Sequence, residues 1–140
     1  MAITAPAEMQ NRRSKPIAPP GGGFIDIHHH ILPGVDDGPR TFQEAEAMLA
    51  LAYRDGTRHI IATSHFDPMG ICPDVARLQG LLDQLNHACM EKFPGLSLSL
   101  GAEILFGEGL RRRLRQGLIP TMAGGEHVLV EFLPSVTREA

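Results

Sequence analysis

Seven histidines occur in the 140 residues, and five of them fall between His28 and His65. The densest group, His28-His29-His30, follows the short β-type run Phe24-Ile25-Asp26-Ile27 and precedes Asp36 and Asp37. In an extended segment, residues two apart point the same way, so His28 and His30 can face one ion while His29 turns aside. Farther along, His65, Glu103 and Glu131 each follow an apolar run. Neutral imidazole suits zinc, manganese and iron, whereas carboxylates suit harder ions and can bridge two of them. The candidate ligand set is therefore His28, His30, Asp37, His65, Glu103 and Glu131, a mixture fit for a multinuclear hydrolytic centre of manganese or zinc. Any one of these alone reads as a cap or turn former; six such residues at successive strand ends favour the metal reading. Asp36 and Asp37 compete for one ligand role, with Asp37 favoured and the other capping the loop. Asp26 reads as a partner that orients a histidine, and His59, His87 and His127 as structural or solvated.

Elements must exist to bring such scattered residues together, and the sequence supplies them in alternation. Strands are expected at 24–27, 59–62, 96–100 and 127–130. Between the first two, Thr41-Phe42-Gln43-Glu44 forms a capping box. It opens a helix whose apolar face is Phe42, Ala45, Met48, Leu49 and Ala52, and Gly56 ends it. Pro73-Asp74 opens a second helix with the stripe Val75, Leu78, Leu81, Leu82, Leu85 and Cys89, closed by Pro94-Gly95. A shorter helix, 110–115, stops at Gly117. Alternating strands and helices predict an α/β fold of parallel βα units. In such folds the C-terminal strand ends share one mouth, where active sites gather. Residues 1–23, with Pro6, Pro16, Pro19, Pro20 and three successive glycines, are expected to be a leader without fixed structure. The folded domain is expected over 24–140.

Composition excludes several alternatives. Thirteen Lys and Arg against sixteen Asp and Glu give a net charge of −3, which offers no basic footprint for nucleic acid. No apolar run approaches the roughly 18–20 residues of a membrane span, and no signal-peptide core is present, so a cytoplasmic protein is expected. Cys72 and Cys89 are too few and too separated for a disulfide framework or a paired-cysteine zinc site. A cysteine phosphatase needs five residues between its Cys and its Arg; only four separate Cys72 from Arg77, and Gly95 stands six after Cys89. No glycine-rich phosphate loop with its lysine occurs. The run Arg111-Arg112-Arg113-Leu114-Arg115 reads as a solvated helix face rather than an anion-steering patch.

Four segments carry a family resemblance. These are Asp26-Ile27-His28-His29-His30-Ile31-Leu32-Pro33-Gly34-Val35-Asp36-Asp37-Gly38-Pro39, then Ile61-Ala62-Thr63-Ser64-His65, Gly101-Ala102-Glu103-Ile104 and Leu129-Val130-Glu131-Phe132. They resemble the polymerase and histidinol phosphatase (PHP) superfamily, and within it the bacterial capsule- and exopolysaccharide-linked tyrosine-protein phosphatases. The resemblance implies the N-terminal half of a distorted TIM-like barrel and a site for up to three metal ions. Manganese is the usual metal, with zinc, cobalt or iron as substitutes. It implies that His28 and His30 bind a first ion, that Glu103 bridges to a second completed by Glu131, and that Asp37 and His65 hold a third. The implied reaction is hydrolysis of phosphotyrosine, with an autophosphorylating bacterial tyrosine kinase as partner. Histidinol-phosphate phosphatase or polymerase-linked nuclease activity belongs to the same superfamily, and a truncated metal-binding or interaction module without turnover is the non-enzymatic alternative.

Two departures shape the expectations. The family carries later segments, a histidine followed by an arginine and an Asp-x-His, that have no counterpart before Ala140, and Ser135 to Ala140 leaves the pattern. Phe66 stands where the family has a His or Arg that contacts phosphate. An open half-barrel exposes an edge and an apolar face, so a fragment that self-associates and binds metal less tightly is expected.

Overall fold

A computed structural model describes residues 22–70 and 72–133. The leader expected over 1–23 lies outside the described residues apart from Gly22 and Gly23, as does the departing segment at 135–140.

The strands are β1 (Phe24–His29), β2 (Thr57–Ala62), β3 (His65–Phe66), β4 (Ser97–Leu100), β5 (Glu103–Leu105) and β6 (Leu129–Glu131). The helices are α1 (Phe42–Arg54), α2 (Val75–Lys92) and α3 (Leu110–Arg115), with one 3₁₀ turn at Met122–Gly124. Every strand pairing is parallel, as the βα alternation predicts. The strands form two three-stranded sheets, ordered β1-β2-β4 and β3-β5-β6. No closed barrel forms among the described residues.

The split into two sheets differs from the four strands expected. The second and third expected strands each break, at Thr63-Ser64 and at Gly101-Ala102, and resume as β3 and β5. The breaks lie side by side: Gly101 N donates to Ala62 O at 2.8 Å and Glu103 N to Ser64 O at 3.1 Å. Gly101 suits its break because an added Cβ would stand 2.8 Å from Ile61 Cγ2. Two- and three-residue strands carry too little periodicity to be read in advance. The fourth strand forms two residues late, at Leu129, and pairs with β5 across the break rather than with β4.

The helices start where their caps place them. Thr41 Oγ1 accepts the Glu44 N–H at 3.1 Å, while Glu44 Oε2 reaches back to Arg40 N at 2.6 Å, one residue beyond the usual capping-box partner. Asp74 Oδ1 accepts Ala76 N at 3.0 Å at the head of α2. Of the α2 stripe, Leu78, Leu82, Leu85 and Cys89 are buried, with Val75 and Leu81 packed at its margin. They join Leu49, Ile60, Phe66, Leu98 and Ile104 in one core. Each fully buried Leu, Ile or Phe contributes roughly 1.5–3 kcal/mol of transfer free energy. This core clamps β2 and β4 beneath the mouth at their C-terminal ends.

Candidate metal centre

β1 delivers the first histidines. Its register against β2 shifts between Asp26 and His29, with Asp26 opposite Ile60 and His29 opposite Ala62. Between these pairs two residues of β1, Ile27 and His28, face one of β2, Ile61, a bulge of the kind that re-aims side chains. Asp26 Oδ1 accepts the His28 backbone N–H at 3.1 Å, so Asp26 braces this irregular backbone rather than a histidine ring. His29 turns inward, its N–H on Thr63 Oγ1 at 2.9 Å. Burial lowers the His29 pKa below the ordinary 6.5, against a smaller raising effect of Asp26, and its Nδ1 is buried without a hydrogen-bond partner.

Around Glu103 the geometry is tight. His28 Nε2 lies 3.1 Å from Glu103 Oε1, and His30 Nε2 lies 3.0 Å from Oε2. His65 Nδ1 stands 3.3 Å from the same Oε2 and 3.8 Å from Glu131 Oε2, while His65 Nε2 is 3.6 Å from Asp37 Oδ1. Glu103 is buried, whereas Asp37 is 76% exposed and His28 and His65 are about half exposed. The pair Asp36 and Asp37 separates clearly. Asp36 is buried against His30, and Asp37 projects into the open side of the cleft. Gly38 follows because any Cβ there would run into the His30 carbonyl. The cleft, about 520 Å³, is lined by His28, His29, His30, Asp37, Gly38, Met48, His65 and Glu103.

The structure thus brings together all six residues singled out in the sequence. Three overlapping groups have ligand atoms within 4.8 Å of one another: His28, His30 and Glu103; His30, Asp37 and His65; His65, Glu103 and Glu131. With neutral imidazoles, Asp36, Asp37, Glu103 and Glu131 place four negative charges around three rings, an arrangement that divalent cations complement. The donor set of nitrogen and oxygen, without thiolate, suits manganese or zinc. Each neutral imidazole offers one lone pair, so His30 and His65 cannot each serve two groups at once.

The other candidates stay outside the centre. His59 is buried with Nδ1 2.8 Å from Ser97 Oγ. His87 is exposed beside Glu91, and the His127 carbonyl accepts Met122 N in the turn before β6. The Cys89 thiol is pushed up to about 11, first by burial and then by Glu46, which leaves it without nucleophilic thiolate at neutral pH. Arg113 lies on the half-buried side of α3, its Nη1 3.5 Å from Cys72 Sγ, while Arg111, Arg112 and Arg115 are solvated as expected.

A parallel α/β fold with imidazoles and carboxylates gathered at its strand ends is the class this geometry defines. Within that class, the chain belongs to the capsular polysaccharide synthesis CpsB/CapC family, whose model matches residues 24–140. It is 37% identical over 110 residues to the tyrosine-protein phosphatase CpsB of Streptococcus pneumoniae, covering 78% of this chain and 45% of that protein. It is 33% identical over 110 residues to the tyrosine-protein phosphatase YwqE of Bacillus subtilis, covering 78% of this chain and 43% of the relative. A solved structure from work on YwqE and CpsB, described as unique metal-dependent tyrosine phosphatases, superimposes with a TM-score of 0.75. It shares 31% identity and covers 83% of this chain and 47% of that one. The chain spans somewhat less than half the length of these curated relatives. Among the described residues, no helix is long and apolar enough to cross a membrane.

Proposed function

We propose that the chain carries the metal-binding part of a phosphoesterase that hydrolyses phosphotyrosine on proteins in capsular or exopolysaccharide synthesis. The observation that carries the reading is the convergence of three histidines on Glu103, which belongs to a different strand from any of them. Names borne by the relatives supply the substrate class.

In this reading His28, His30 and Glu103 hold one ion, Glu103 and Glu131 a second, and Asp37 and His65 a third. Manganese is the leading ion. Divalent ions there would activate water and neutralise phosphoryl oxygens during in-line displacement. The chain's own residues do the positioning. Buried Glu103 presents one oxygen to each of His28 and His30, which fixes the floor of the cleft. Exposed Asp37 and half-exposed His65 form its rim, where a phosphorylated side chain has access. Phe66 is buried in the core and offers the phosphate no charge.

The partner in this reading is an autophosphorylating tyrosine kinase, and the compartment is the cytoplasm. Self-association through the open edges is supported by β1, an outer strand whose Phe24 and Ile27 are more than half exposed.

A second reading, a metal-binding module without turnover, is favoured by the exposure of Asp37, His28 and His65. One assay separates the two. Purified chain with manganese, cobalt or zinc is expected to hydrolyse para-nitrophenyl phosphate and a phosphotyrosine peptide, and His28→Ala to abolish this. Metal uptake without hydrolysis above background would select the second reading.

A further inference from the structure

Sequence alone leaves Asp36 as a loop cap, but its carboxylate has three polar neighbours rather than one. Asp36 Oδ1 accepts the Gly38 N–H at 3.2 Å, the cap expected of an Asx turn. Its Oδ2 stands 3.1 Å from His30 Nδ1 and accepts the backbone N–H of His65 at 3.2 Å. The side chain is buried, so these bonds are not exchanged freely with water.

We propose that Asp36 is the positioning residue of the centre: it fixes the His30 ring with the proton on Nδ1, which turns Nε2 toward Glu103 as the metal-binding atom. The proposal rests on the metal reading above. Ring geometry leaves little alternative. His30 Nε2 already lies 3.0 Å from Glu103 Oε2, on the side where His28 Nε2 meets the other Glu103 oxygen. Nδ1 faces only the two aspartates, and of these Asp36 is the buried one with a fixed orientation. A ligating histidine whose second nitrogen donates to a carboxylate is held in one tautomer and made a stronger donor. His30 is then committed to the group with His28 and Glu103. The group of His30, Asp37 and His65 reduces to Asp37 and His65, both exposed. Through the His65 N–H, the same carboxylate also sets the start of β3 relative to the end of β1, so one side chain aligns ligands 35 residues apart.

The test uses zinc, which is diamagnetic, on the full chain. Zinc affinity is measured by calorimetry for the parent, Asp36→Ala and Asp36→Asn, and imidazole nitrogen shifts report the His30 tautomer in each zinc-loaded protein. The parent is expected to bind zinc with His30 protonated on Nδ1. Asp36→Ala is expected to bind about 10- to 100-fold more weakly, the usual cost of removing such a partner, and to lose that tautomer. Asp36→Asn keeps a carbonyl acceptor for Nδ1 while losing the Gly38 bond, so it should retain the tautomer and most of the affinity. A cap with no effect on His30 predicts an unchanged tautomer in both variants, Asn serving that cap as well as Asp does, and that result overturns the proposal. If Asp36→Ala does not fold, zinc-loaded parent with the His30 proton on Nε2 overturns it equally. A parent that takes up no zinc fails the metal reading itself, and the positioning role with it.

Discussion

His30 Nε2 and Glu103 Oε2 lie 3.0 Å apart although the two residues stand 73 positions apart in the chain. The pairing holds the end of β1 against the first residue of β5, two strands that share no sheet. It is the junction on which the centre is built, and its removal should be felt first.

Glu103→Gln keeps the shape of the side chain but removes its charge and places an amide against one histidine. The expected outcome is loss of more than about 100-fold in metal-dependent phosphatase activity, beyond what an outer partner costs. Metal content by elemental analysis should fall in parallel. A variant with parental metal content and turnover would remove Glu103 from the centre.

Gly38 lies flat on the His30 carbonyl, where a methyl group has no room. Gly38→Ala is therefore expected to cost about 1–3 kcal/mol in urea denaturation through overpacking. It should also weaken metal binding, because the displaced atom belongs to His30. Gly80→Ala is the control: Gly80 is a helical residue of α2 with open space around its Cβ position. That change should stabilise the protein by about 0.5–1 kcal/mol through helix propensity.

Burial holds the His59 pKa below its ordinary 6.5. The native state therefore keeps His59 neutral where the unfolded chain begins to take up a proton. Stability is full above 6.5 and declines as the pH falls from there through the lowered native value. Urea midpoints at about pH 7.5 and about pH 5.5 measure the decline, and His59→Gln should show a smaller drop than the parent. Equal drops would mean that His59 contributes nothing to acid sensitivity.

Much of this was legible in the sequence, for identifiable reasons. Thr41, Asp74 and Gly56 bound helices through local bonds that a short motif specifies. His28, His30, His65, Glu103 and Glu131 were legible because parallel strands bring their C-terminal ends to one side. What stayed hidden depends on tertiary geometry. β3 and β5 are too short to show a period, and the interruptions at Thr63-Ser64 and Gly101-Ala102 exist only because neighbouring strands break together. Asp26 reads as a ring partner by proximity in sequence, yet the β1 bulge puts its carboxylate on a backbone amide. Asp36 and Asp37 are the same residue type side by side, and only burial separates them.

The distribution of the donors along the chain fixes when the centre can exist. Among the described residues the first is at His28 and the last at Glu131, with α1 and α2 between them. Between the start of β1 and the start of α1 the candidate donors are the β1 histidines and the neighbouring aspartates alone. Long-range pairings of this kind close late in folding. An ion that uses all of these donors is therefore bound only after β1, β3, β5 and β6 have come together.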